Sequence, residues 1–481
     1  MHLADASTKL ACCAGFLWPA ISGGRPAGRR CATLKTAPGA FSFAPSSPVA
    51  SGHLECCSAT ARVTRDDRSM TLWVVSLLFV LTYLGMAAGG IRGLRVDRSW
   101  IASCAAVLLL VSGAQSPAEA ASHLDAGALL LLLALMLISA QFDFSGVYAW
   151  LNQQLSHYAE QPALLLLGVV VLGGVLSALL VNDIVAFALT PLLCHSLLAR
   201  GLDPRPFLLA LALSCNAGSS ASLIGNPQNI LIGQAGGLDF WSYTLIAGPP
   251  ALAALAITYV VIWLQWRKRW GMAKPAVQAE TPVQHIYGVR SYLKPLLASL
   301  VLLGLFSTSM PREISALLIA ALVMISRRVD SRDYVQKVDW NLLLLFAGLF
   351  VVTGAAMSLP QVAGMTGNLA ELGLLPHGVI TLASLSLLAG NLIGNVPYVM
   401  LLLGVLPDAS EALLVGLAIM STLAGNLLLI GSVVNLIVAE SARRQGVPLN
   451  FVDFSRSGVP VTLLSMGLAG LWLALGGWLP W

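Results

Sequence analysis

From Thr71 to Trp478 the chain returns repeatedly to apolar runs of about 17–25 residues, the length that crosses a bilayer as a helix, separated by short polar loops. This feature constrains the fold more than any other. A spanning segment finds no water in the bilayer core and must satisfy its own backbone hydrogen bonds. The runs show no strand-like alternation, so they read as helices and not as a barrel. Composition agrees: 57% of the residues are hydrophobic and 10% charged. So few charges cannot cover the surface of a soluble protein of this size.

The first 69 residues are of another kind. They hold eight Lys or Arg and four acids, with scattered Pro, Ser, Ala and Gly and no sustained period. They read as a disordered or targeting segment, or as sequence upstream of a true start at Met70. The intact mass of the natural product tests that start.

Lys and Arg gather in alternate loops, which marks the cytoplasmic side. They cluster at 92–98, 200–205, 267–294, 327–337 and 443–456, whereas the loops at 116–125, 234–240, 358–374 and 407–411 have none. Arg312 is the lone exception. Spans near 71–90, 99–115, 126–142, 206–233, 241–265, 292–308, 313–326, 340–357, 411–440 and 458–478 satisfy this pattern. It requires the segments at 163–198 and 375–406 to return to the side they came from, as re-entrant hairpins. The expected fold is an all-α polytopic membrane protein of two inverted repeats. It has about ten transmembrane helices, two re-entrant hairpins and two broken helices. The first repeat covers 70–265, a cytoplasmic linker 266–291, and the second, inverted repeat 292–481.

Local sequence supports the repeat. Ala217-Gly218 is followed by Leu223-Ile224-Gly225 and Asn229, and Ala424-Gly425 by Leu429-Ile430-Gly431 and Asn435. Each stretch follows a hairpin, with Asn182-Asp183 in the first and Asn391 to Asn395 in the second. Interrupting a spanning helix frees backbone groups that must find partners in a cavity. Helix N-termini there suit anions and freed carbonyls suit cations. The candidate binding residues are Asn182, Asp183, Asn216, Gly218, Ser219, Gly225, Asn226, Asn229, Asn391, Asn395, Gly425, Asn426, Gly431, Ser432 and Asn435.

Asp183 is the one acid deep within an apolar segment after Met70. An intramembrane carboxylate is a functional candidate by default. It could ligate sodium together with Asn182 and Asn229, carry a proton, or cap the second hairpin helix. No Lys or Arg is expected in the membrane region, so an anionic substrate is expected to rely on helix ends, amides and a co-bound cation. The sequence has no Walker motif, which excludes an ATP-driven pump working alone. No catalytic constellation or metal-ligand cluster is visible in the spans, so no enzyme activity is expected.

At these stretches, and at Gly394-Asn395-Val396-Pro397 and the loop Arg92 to Arg98, the chain resembles the ion transporter superfamily. The similarity is to its arsenite-permease and sodium/proton-antiporter-like branch, with a citrate-transporter-like domain, and covers Met70 to Trp481. The resemblance implies an elevator-type secondary transporter, a homodimer, in which hairpin tips and broken helices enclose sodium or substrate. Related dicarboxylate carriers have Ser-Asn-Thr at both tips, whereas the tips here read Val-Asn-Asp and Gly-Asn-Val. The expected function is secondary transport of a small inorganic or organic anion, coupled to sodium or protons and with no other cofactor. A sodium/proton antiporter and an arsenite or antimonite efflux permease are the alternatives. The expected partners are a small-molecule or ion substrate and lipid, with no nucleic acid. The expected location is the bacterial cytoplasmic (inner) membrane.

Overall fold

The first repeat runs through α1 (Arg65–Ala88), α2 (Arg98–Val111), the short α3 (Pro117–Ser122), α4 (Ala126–Phe144) and the short α5 (Val147–Ser156). It continues with α6 (Pro162–Leu179), α7 (Asn182–Leu198), α8 (Arg205–Ser219), α9 (Pro227–Ala235) and α10 (Phe240–Trp266). The second runs through α11 (Val289–Leu305), α12 (Arg312–Met324), the short α13 (Ser331–Gln336) and α14 (Trp340–Met357). Then come α15 (Val379–Ile393), α16 (Asn395–Val405), α17 (Glu411–Ala424), α18 (Val433–Arg444) and α19 (Phe451–Leu475). The structure, a computed structural model, describes residues 65–88, 97–271, 289–326, 329–362 and 375–481. The start at Met70, the linker core, the loop around Arg92 and Arg95 and much of the loop at 358–374 involve residues outside these. Among the described residues there is no strand, only one antiparallel bridge between Leu202 and Gly271.

This is an all-helical polytopic membrane protein. α1 from Met70, α4, α6, α10, α14 and α19 are long and apolar enough to cross a membrane. α2 and α12 are shorter than the expected spans, with 14 and 13 residues, or roughly 20 Å at 1.5 Å per residue. α19 begins at Phe451, well before the expected 458, because Asp453 and Arg456 interrupt the apolar window but not the helix. α1 likewise begins at Arg65.

The helix starts have local causes. Asp97, Asp125, Asp239 and Asp339 accept backbone N–H bonds at the N-termini of α2, α4, α10 and α14, and Ser410 does so for α17. Ser116 and Glu119 form a capping box on α3. Such caps satisfy donors that a helix start leaves orphaned.

Packing follows a two-fold exchange between the repeats. α2 packs on α14 and α12 on α4; α7 packs on α18 and α16 on α9. α6 lies against α8 and α15 against α17, while α10 packs on its own counterpart, α19. Glycine permits the closest of these approaches. A Cβ on Gly218 in α8 would collide with the Gly174 backbone of α6, and one on Gly348 in α14 would stand 2.6 Å from the Ala102 carbonyl carbon of α2. Small residues serve this role where lipid offers no hydrophobic drive.

Candidate functional site

Each hairpin turns within the protein. Leu180 and Val181 join α6 to α7 in extended conformation, and the Asn182 amide donates to Gly225 O at 2.9 Å. The second tip turns at Gly394, whose φ of +98° a side chain would strain. The long α8–α9 segment is broken between Ser219 and Pro227. Pro227 stands at the first helical position of α9, where its missing N–H is not needed. Asn226 caps that start, accepting from Asn229 N at 2.8 Å. The second break separates α17 from α18 and holds a 3₁₀ turn at Leu429–Gly431.

The two tips and two breaks meet at a small cavity of about 50 Å³. Asn182 and Asp183 of α7, Pro227 and Gln228 of α9, Gly394 to Pro397 around the start of α16, and Gly431 to Val433 around the start of α18 line it. Four helix N-termini therefore converge there. Each presents N–H groups that have no partner within its helix and a partial positive charge. Met86, Leu342 and Leu345 supply apolar wall, and Arg98 completes it.

Asp183 is 8% exposed. It does not cap α7, whose N-cap is Val181 without a side-chain bond. The Asn182 and Asn395 side-chain oxygens are buried without hydrogen-bond partners, as is that of Asn391 nearby. Among the described residues no group of three or more His, Cys, Asp or Glu could hold a metal ion. Oxygen ligands here come from amides, one carboxylate and backbone carbonyls.

Of the residues singled out in sequence, Asn182, Asp183, Asn395, Gly431 and Ser432 line this cavity. The others build the frame behind it. Asn216 donates to Asn426 Oδ1 at 2.9 Å and to Asn435 Oδ1 at 3.1 Å, and accepts from Ser432 Oγ at 3.0 Å. Asn182 reaches the same group, donating to Asn216 Oδ1 and Ser219 Oγ, each at 3.3 Å. Asn226 donates to Ser219 Oγ at 3.0 Å and Thr422 Oγ1 at 3.2 Å. Asn229 donates to Ser219 O, Ser222 O and Tyr243 Oη and accepts from Thr422. Asn391 donates to Ala424 O at 2.9 Å. Gly225 and Gly431 are fixed by space. A Cβ on Gly225 would stand 2.5 Å from Ser219 O, and one on Gly431 or Gly425 would strike the side chain of Asn391 or Asn395. A Cβ on Gly218 would meet Gly174 in the same way.

Three contributors escape the sequence reading. Gln228 stands between Asn226 and Asn229 and Thr422 follows Ser421, and the two are bonded to each other at 3.3 Å. The third is Arg98. The expectation that no Lys or Arg reaches the membrane region is overturned, since Arg98 opens α2 with its half-buried side chain in this cavity. A basic residue at a span end reads as a topology signal, and only tertiary structure shows where its head goes.

The family model described as citrate transporter matches residues 76–414, most of the chain. The chain belongs to the citrate transporter family. The family is named for transport, several matched relatives are transporters by name, and six helices are long and apolar enough to cross a membrane, so this protein is an integral, multi-pass membrane transporter. Among curated relatives, a 46 kDa membrane protein of Mycobacterium leprae is 28% identical over 83% of this chain and 97% of its own. A protein named putative transporter arsB, of Dictyostelium discoideum, is 24% identical over 82% of this chain and 89% of its own. The silicon efflux transporter LSI3 of Oryza sativa subsp. japonica is 28% identical over 77% and 91%. Among solved structures, the YdaH transporter of Alcanivorax borkumensis matches 85% of this chain and 98% of its own, at 16% identity and a TM-score of 0.49.

Proposed function

We propose that this family member is a secondary active transporter that carries a small anion, coupled to sodium or protons. The observation that supports this most is the convergence of four helix N-termini on a cavity that also holds Asp183. Helix N-termini favour an anion. Asp183 and the unpartnered oxygen of Asn182 favour a cation or a proton on the same wall. An anion and its coupling ion thus stabilise one another, and neither is bound well alone. Net binding energy of this reciprocal kind is what couples two solutes.

In this reading the coupling ion sits at Asp183 and Asn182. Asn229 acts behind it, because its amide is already committed to backbone, Thr422 and Tyr243. The sodium/proton antiporter reading is less favoured. Val396 stands at the second tip where Asp183 stands at the first, and among the described residues no second carboxylate lines the cavity. The proposed assembly is a homodimer in a bacterial cytoplasmic membrane.

The test is uptake into proteoliposomes of labelled phosphate, sulfate, arsenate, citrate and arsenite under an imposed sodium or proton gradient. Gradient-driven uptake of an anion, lost in Asp183→Asn, supports the proposal. Uptake by Asp183→Asn with unchanged gradient dependence would remove Asp183 from coupling. A flat panel accompanied by sodium-driven proton movement would move the assignment to antiport.

A further inference from the structure

We infer that Arg98 sets the charge of the solute, and that the solute is a compact oxyanion. The inference rests on the anion reading above and names its substrate class.

Arg98 is a half-buried guanidinium with no carboxylate partner among the described residues. The ion pairs found there lie elsewhere, at Asp203–Arg205, Asp143–Lys337 and Glu440 with Arg443 and Arg444. The acid beside it in sequence, Asp97, is committed to the start of α2. Its Oδ1 accepts from Ser99 Oγ at 2.6 Å and from Trp100 N at 3.0 Å. Asp183 shares the cavity with Arg98 but forms no ion pair with it. An arginine withdrawn from water without a counter-charge is unfavourable, and an anion in the cavity relieves that penalty.

Geometry places the anion. Nη1 of Arg98 stands 3.9 Å from where a Cβ on Gly394 would be, so the guanidinium faces the tip that begins α16. The absent side chain at Gly394 leaves that approach open. A guanidinium fork holds two oxygens of one anion side by side, and the first N–H groups of α16 lie on the same side of the cavity. Size limits the rest. A cavity of about 50 Å³ has room for only about three to five waters, at about 10–15 Å³ each on this measure. That suits a tetrahedral ion with one central atom and excludes a tricarboxylate in this state.

The test compares wild type, Arg98→Lys and Arg98→Gln in proteoliposomes, each first shown to be monodisperse in detergent. The solutes are labelled phosphate, arsenate and sulfate, with silicic and arsenous acid as uncharged hydroxides and citrate as unlabelled competitor. We expect gradient-driven uptake of at least one of the three oxyanions, with no competition by citrate. The KM should rise at least tenfold in Arg98→Gln, with partial recovery in Arg98→Lys. An unchanged KM in Arg98→Gln or effective competition by citrate would overturn the inference. Gradient-driven uptake of a neutral hydroxide, unaffected by Arg98→Gln, would overturn it while leaving coupled transport intact. Loss of gradient dependence for every solute would overturn the transport reading itself, and this inference with it.

Discussion

Asn229 and Asn435 close equivalent breaks with the same pair of bonds. The Asn229 amide donates to Ser219 O at 3.3 Å and Ser222 O at 3.0 Å; the Asn435 amide donates to Gly425 O at 2.9 Å and Leu428 O at 3.2 Å. Each break frees carbonyls of the preceding half-helix at a depth where water is absent, and one side chain per repeat recaptures two of them. Asn216 then joins the two halves, through its own bonds to Asn426 and Asn435.

Removing either amide leaves buried carbonyls without donors, at about 1–3 kcal/mol for each group. Asn435→Leu and Asn229→Leu should therefore melt well below wild type in detergent. Asn435→Asp, which keeps the shape but loses the donor, should fall with them. A melt equal to wild type in Asn435→Asp would show that the amide does not hold the break.

Gly218 and Gly248 should respond in opposite ways to alanine. A Cβ on Gly218 meets the Gly174 backbone, which cannot swing aside, while one on Gly248 meets nothing within 4 Å. Overpacking of the first kind costs about 1–3 kcal/mol. Gly218→Ala should express poorly and melt early, whereas Gly248→Ala should match wild type or exceed it. The comparison needs only thermal melts of the two variants.

Inversion of the repeats assigns sides to exposed loop residues. On a background without native cysteines, Ser309→Cys and Asp408→Cys should react with an impermeant maleimide added to intact cells. Arg332→Cys and Asn450→Cys should react only after permeabilisation. Labelling of Ser309→Cys and Arg332→Cys from the same side would contradict the inversion.

Asp239 gives a pH signature outside the membrane. Backbone N–H bonds at the start of α10, from Ser242 above all, hold its carboxyl below the usual range. Because the folded value is lowered, its contribution is present above about pH 4, the ordinary carboxylate value, and is lost as pH falls further. Wild type should melt above Asp239→Ala at pH 6, and the gap should narrow toward pH 3. A constant gap across that range would mean the charge has no part in the cap.

Most of the architecture is written in length, hydropathy and the placement of arginine. The hairpins were readable because later basic loops would otherwise lie on the wrong side. The asparagines were readable because two motifs repeat. The division of labour among them was not. Asn182 and Asn395 line the cavity while Asn216, Asn229 and Asn435 lie in the frame behind it, and nothing in their spacing separates the two groups. The short α3, α5 and α13 were missed because one or two turns carry too little period. Arg98 was missed because its position at a span end gives a complete explanation of its own.

The exchange of α2 onto α14 and of α4 onto α12 bears on how the chain is made. When the ribosome has released the first repeat, the surfaces of α2 and α4 that face α14 and α12 have no partner, and those partners are not yet synthesised. The first half must wait, inserted but unfinished, until the second is delivered. Neither half is a rehearsal of the whole: the membrane receives two incomplete bundles and obtains one transporter only when they interlock.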